Sequence, residues 1–251
     1  VNVLPYIVDV VTAGIKKRYD AGNHTPLNII ICENLIDANK YFEKLLKEKL
    51  PEEIHPWFDE TIGLVEASIG RMVPVMTSEM KGDNPLRVYV EEYDVLPVDK
   101  KGFRGEIPYV KNMVPYEPFD FYIQRKLYMH NMAHAMTAYL GKYKGYEFIW
   151  QACMDPAIKV LVMKALSESS LAMSKEHGED MTALSCHSED LLYRFQNPSL
   201  GDTVNRVGRD TKRKLSPEDR LVGAAKLCDK NKILPASICL GIAAGFLFEA
   251  P

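Results

Sequence analysis

Residues 27–32 (LNIIIC) form a short, unbroken apolar run rich in isoleucine, set between two stretches that read as helices. That combination limits the fold more than any other part of the chain. Residues 3–19 carry apolar side chains at helical spacing and give way to the turn-forming AGNHTP. After the run, Glu33-Asn34 leads into a second helical stretch that continues to Leu50 and stops at Pro51. A segment apolar at successive positions is buried on both faces, as a parallel strand covered by helices is. Helix, buried strand, helix is a piece of a doubly wound α/β sheet, where ligands bind beyond the carboxyl ends of the strands. Asn34 falls at such an end. A turn or helix-capping duty, common for Asn after a strand, is the other reading of that residue.

Alternation over residues 86–93 predicts a strand with one wet face, and residues 102–115 read as loop. From Phe119 onward the pattern is helical: to about Leu140, then over residues 156–176, 189–195, 218–228 and 235–248. Ser216-Pro217-Glu218 offers an N-cap with Pro at the first helical position. The expected architecture is α/β followed by mostly α. Residues 1–115 would be the later part of a Rossmann-type domain and residues 116–251 a helical domain.

The segment RKLYMHNMAHAMTAYLG concentrates chemistry on one predicted helix. At about 100° per residue, with Lys126 at zero, His130 falls near ~40°, His134 near ~80° and Asn131 near ~140°. Tyr128, Met129, Met132, Ala133, Ala135, Met136, Tyr139 and Leu140 fill the opposite arc. An amine, an amide and two imidazoles thus share the front of a helix with an apolar back. No carboxylate lies between Arg125 and Leu140, whereas a solvated face would more usually pair Glu with Lys. Desolvation and nearby positive charge lower a lysine's pKa and make it usable as a general base. The plainer reading is a helix that merely has a polar side.

A second cluster holds Arg206, Arg209, Lys212, Arg213, Lys214 and Arg220, a density that suits anion capture. Alternatively these charges pair with Asp202, Asp210, Glu218 and Asp219 in a solvated loop. The net charge of −3 argues against a nucleic-acid binder. No apolar run approaches the roughly 20 residues that span a bilayer, and no signal-peptide pattern opens the chain. The five cysteines are scattered and without a C-x-x-C pair, which suits a reduced, cytoplasmic setting. His130 and His134 have metal-compatible spacing, but no Cys or carboxylate nearby completes a site, so no metal is expected.

In order along the chain stand NVLPYI, PLNIIICENL, GRMVP, VYVEEYDVLPVDK, FRGEIP, QRKLYMHNMAHAMTAYLG, RFQNPSLGDTVNRVGRDTKRKLSPEDRLVG and GIAAGFLF. Together they resemble the polyol-specific long-chain dehydrogenases, the family of mannitol-1-phosphate 5-dehydrogenase and mannitol dehydrogenase. The resemblance covers almost the whole chain and includes the family's Lys-x4-Asn-x2-His signature. It implies a metal-free, NAD-dependent exchange between a polyol and a ketose, first of all mannitol 1-phosphate and fructose 6-phosphate. It also implies Lys126 as general base, Asn131 and Asn34 as amides aimed at the reacting oxygen, with Asn34 also beside the cofactor, and His134 as the orienting imidazole. Arg206, Arg209 and Lys214 would grip the polyol or sugar phosphate, with the site in a cleft between the two domains. Hexuronates and free mannitol are the alternative substrates.

The chain departs from the family at Gly70, where Asp is common, at Glu66 for Asp, at His130 for Leu and at Ala133 for Gly. No G-x-G-x-x-G occurs in residues 1–251, and relatives extend further at both ends. The expectation is therefore a fragment, inactive by itself. A non-catalytic sugar-binding or dimer-forming helical module is the competing class.

Overall fold

A computed structural model describes residues 3–33, 35–74 and 76–248. The chain divides into two compact units, Val1–Gly70 with Tyr93–Ile123, and Arg71–Glu92 with Gln124–Pro251. The first unit closes with Ile123, and residues 71–92 join the helical unit rather than the α/β one.

In the first unit, helix α1 (Leu4–Asp20) leads to strand β1 (Leu27–Ile31), helices α2 (Ala38–Lys47) and α3 (His55–Thr61), and strand β2 (Ile62–Glu66). β1 and β2 pair in parallel, with Leu27 opposite Ile62 and Ile31 opposite Glu66. Their core joins Leu4, Val8 and Ile15 of α1 to Phe42 and Leu46 of α2, with Trp57, Phe58, Ile62 and Leu64. The expected parallel strand is present, but it is not buried throughout. Ile30 is 37 % exposed, and among the described residues β1 pairs with β2 alone, whereas Ile62 to Val65 of β2 are all buried.

Two further short strands, β3 (Leu96–Asp99) and β4 (Met113–Tyr116), also pair in parallel. β4 begins inside the stretch expected to be loop. It is four residues long, too short for a period to show. Gly63 permits a close approach: a Cβ there would lie 2.0 Å from Asn28 Oδ1. The Asn28 amide crosses that space to accept from Arg104 N at 2.8 Å and donate to Arg104 O at 3.1 Å.

Residues 86–93 are not a strand, against the sequence expectation. Leu86 is 86 % and Val88 62 % exposed, and no neighbouring strand is offered among the described residues. The short helix α4 (Ser78–Lys81) precedes them. Helix α5 (Asp120–Arg125) begins in the first unit and continues as a π turn over Lys126–Asn131, then as α6 (Met132–Tyr143). Around α6 pack α7 (Ile149–Met154), α8 (Pro156–His177), α10 (Val204–Gly208) and α13 (Ala236–Phe248). α8 starts where Asp155 accepts from Ala157 N and Ile158 N, with Pro156 at the first position, and it ends at left-handed Gly178.

α9 (Met181–Phe195) is longer than expected because Asp180 caps it eight residues earlier, accepting from Ala183 N. α11 (Thr211–Lys214) and α12 (Val222–Lys230) complete the set. α12 does not begin at the Ser-Pro-Glu signal. Asp219 accepts from the Arg220 backbone and side chain, and Glu218 pairs with Lys226, so residues 217–221 are held as turns. No helix of the described residues is long and apolar enough to cross a membrane.

Candidate active site

The central helix is buried nearly all round. Besides the expected Met129, Met132, Ala133, Ala135, Met136 and Tyr139, it also buries His130, Thr137 and Ala138. The face carrying the polar side chains is half-buried rather than solvated. Lys126, Asn131 and His134 remain partly accessible.

The π turn sets their geometry. Five residues rather than four close each ring, so successive side chains advance less around the axis than at helical spacing. Asn131 is thereby brought nearer to the side of Lys126 than a regular helix would put it. A π turn also disturbs the backbone ladder, and buried Ser169 of α8 donates its hydroxyl to Tyr128 O at 2.9 Å.

The imidazole of His134 stacks on Phe195, centroids 4.8 Å apart and planes 18° apart, while His130 meets the same ring edge-on at 5.6 Å. The two imidazoles are 6.3 Å apart. His134 Nε2 lies 3.4 Å from Asp202 Oδ2, and the other oxygen of Asp202 pairs with Arg206. Burial, then the charges of Arg206, Arg220 and Lys214, pull the His134 pKa down to about 3. His130 is held well below its ordinary value, by burial first and then by His134, Arg194, His187 and Lys126. Both rings are therefore neutral near pH 7. They serve as hydrogen-bonding groups rather than cations.

Lys214 is buried, donates to Val207 O, and has its pKa lowered to about 8 by burial and then by Arg220 and Arg213. Arg213 pairs with Asp210 and Asp219, and Arg220 with Asp219. Much of the basic cluster is thus paired within the molecule, as its plainer reading anticipated. Arg209, beside Arg206, and Lys212 are exposed.

Of the residues singled out from the sequence, Arg206 and Lys214 act on His134, and Lys126 and His134 act on His130. Asn131 closes the π turn and Arg209 stands at the rim. Asn34 lies outside the described residues. The sequence reading missed the contacts of His134 with Asp202 and Phe195. Met72, His134, Ile149, Trp150, Phe195, Asn197, Leu200 and Asp202 line a shallow depression with almost no room for a water-sized molecule. A separate cavity of about 220 Å³ in the first unit, lined by Asp59, Asp99, Lys101 and Arg104 among others, includes none of the expected residues.

Residues 1–112 match the mannitol dehydrogenase Rossmann domain and residues 119–251 the mannitol dehydrogenase C-terminal domain. The chain belongs to the mannitol dehydrogenase family. Its fold is correspondingly a Rossmann-like domain followed by a mostly helical one. A solved D-sorbitol dehydrogenase, in substrate-free form, is similar with a TM-score of 0.79 and 18% identity over 98% of this chain and 51% of its own. Pseudomonas fluorescens mannitol 2-dehydrogenase, solved as a ternary complex with NAD and D-mannitol, is similar with a TM-score of 0.73. Its identity is 20%, over 96% of this chain and 51% of its own. This mannitol dehydrogenase family chain therefore spans about half the length of these two relatives.

Proposed function

We infer that this protein is an NAD-dependent polyol dehydrogenase interconverting a sugar alcohol and a ketose. The observation that carries the reading is the grouping of Lys126, neutral His130 and His134, Asp202 and Arg206 around the π turn. Oxidation of a secondary alcohol requires a base for the hydroxyl proton while the hydride leaves carbon, and donors for the developing alkoxide. Lys126 Nζ, as the amine, takes the hydroxyl proton and, as the ammonium, returns it in ketose reduction. The Asn131 amide donates to the reacting oxygen. His134, neutral and held between Phe195 and Asp202, orients the substrate rather than protonating it.

Bound NAD would supply the hydride acceptor. β1 and β2 end side by side at Ile31 and Glu66, the strand-end arrangement that suits the nicotinamide end of a dinucleotide. Asn34 follows that end in sequence and is the residue assigned to the cofactor. Glu66 accepts from Ala38 N at 2.8 Å, and burial raises its pKa.

Mannitol 1-phosphate and fructose 6-phosphate are the first substrate pair. Over residues 202–220, six cationic side chains outnumber Asp202, Asp210, Glu218 and Asp219, and the excess favours an anion. The pairing of Arg206 with Asp202 favours a second reading, a free polyol such as mannitol, because a satisfied guanidinium offers less to phosphate. A panel of fructose 6-phosphate, fructose, fructuronate and tagaturonate with NADH on the full-length protein tests both. NADH oxidation with fructose 6-phosphate supports the first. Preference for fructose supports the second, and no oxidation with any ketose contradicts the enzyme reading.

A further inference from the structure

Residues 71–92 form an excursion whose two ends are pinned to each other. Glu91 N donates to Met72 O at 3.3 Å, and Met72 N donates to Glu91 Oε1 at 2.5 Å. The same carboxylate is gripped by Arg194 through two parallel bonds, Nε to Oε2 at 2.9 Å and Nη2 to Oε1 at 2.5 Å. Both partners are buried, with side chains 5 % and 7 % exposed, and Arg194 is further tied to Asp190 at 3.2 Å. A two-bond guanidinium–carboxylate contact fixes direction as well as distance. Its place decides what it fixes. Arg194 directly precedes Phe195, on which His134 stacks, and Met72 lines the same depression as His134, Phe195 and Asp202.

We propose that Glu91 and Arg194 are positioning residues that seat Met72 as the apolar wall of the polyol site beside His134. This rests on the dehydrogenase reading of that site. The thioether side chain is flexible, so its place is set by the backbone that carries it, and that backbone is held by the Glu91 carboxylate. Met72 then meets the carbon chain of the substrate while Lys126, Asn131 and His134 meet its oxygens. Loss of the clamp moves the wall without touching the proton-transfer groups.

The test uses the full-length protein and separates seating from simple stability. Glu91→Ala is expected to raise KM for the ketose about tenfold, with kcat within about threefold and KM for NADH unchanged. Met72→Ala should reproduce that pattern. Glu91→Gln keeps an oxygen for Met72 N while losing the charge, so it loses thermal stability but holds KM closer to wild type. The charge swap E91R with R194E restores an ion pair yet leaves Met72 N without its acceptor. It should regain stability and not KM. Recovery of KM along with stability in the swap, or an unchanged ketose KM in Glu91→Ala, overturns the proposal.

Amide hydrogen exchange supplies a readout that does not depend on turnover. The Met72 amide should exchange faster in Glu91→Ala and in the swap than in wild type and Glu91→Gln. Equal rates in all four overturn the clamp even if the protein proves to have no dehydrogenase activity. Unequal rates in a protein without turnover overturn the dehydrogenase reading and leave the clamp standing.

Discussion

His134 lies flat on Phe195, with the ring centres 4.8 Å apart, and its Nε2 lies 3.4 Å from Asp202. An imidazole pressed against an aromatic face loses the water that would stabilise its charge, and the nearby cations Arg206, Arg220 and Lys214 oppose protonation further. Phe195 thus links packing to chemistry: it keeps His134 neutral and fixed.

Three largely desolvated, neutral histidines give the helical unit a definite pH response. His134 and His187 are held at about 3 against an ordinary 6.5, and His130 is also lowered. Between those pH values the unfolded chain binds protons that the folded chain refuses. Their contribution to stability is therefore full above pH 6.5 and is lost progressively as pH falls toward 3. Urea unfolding at pH 7.5, 6 and 5 should show this decline, and His187→Leu should make it shallower. Equal slopes in wild type and variant would contradict the burial account.

Ser169→Ala removes the hydroxyl that satisfies Tyr128 O in the π turn. Losing that hydrogen bond should cost about 0.5–1.5 kcal/mol in denaturant unfolding, with faster amide exchange over residues 126–132. A fully stable variant would mean that Ser169 does not support the turn.

Two glycine substitutions should act in opposite directions. Gly63→Ala places a Cβ 2.0 Å from Asn28 Oδ1 and 2.7 Å from Gly102 O, and should destabilise the protein by more than about 3 kcal/mol. Gly14→Ala lies within α1 with nothing inside 4 Å, and should stabilise it by roughly 0.5–1 kcal/mol. Melting temperatures of the two variants check both signs.

The parallel strand β1 and the helix carrying Lys126, Asn131 and His134 were legible because each rests on local period and length. What surrounds them was not. The π turn is supported by Ser169, and Glu91 meets Arg194 across 103 positions, relations that no local pattern encodes. The strand expected over residues 86–93 failed for the same reason: alternation cannot supply a partner strand, and Glu91 is drawn instead to Arg194. The helix start expected near Ser216 gave way to ion pairs of Glu218 and Asp219. Asp202 was visible as a charge partner of the basic cluster, but its contact with His134 needed the fold.

Asp202→Asn bears on substrate charge. It releases Arg206 from its carboxylate partner and adds one unit of positive charge beside His134. Selectivity for fructose 6-phosphate over fructose should rise about fivefold in kcat/KM ratio. A ratio that stays constant or falls would mean that Arg206 does not face an anionic group.

The most direct test of the central claim is turnover of Lys126→Ala in the full-length protein, assayed in both directions with NAD and NADH. Removing a general base should lower kcat by about 10²- to 10⁴-fold, with melting temperature and NADH affinity close to wild type. Turnover near wild type in a folded Lys126→Ala protein would contradict the assignment of the site.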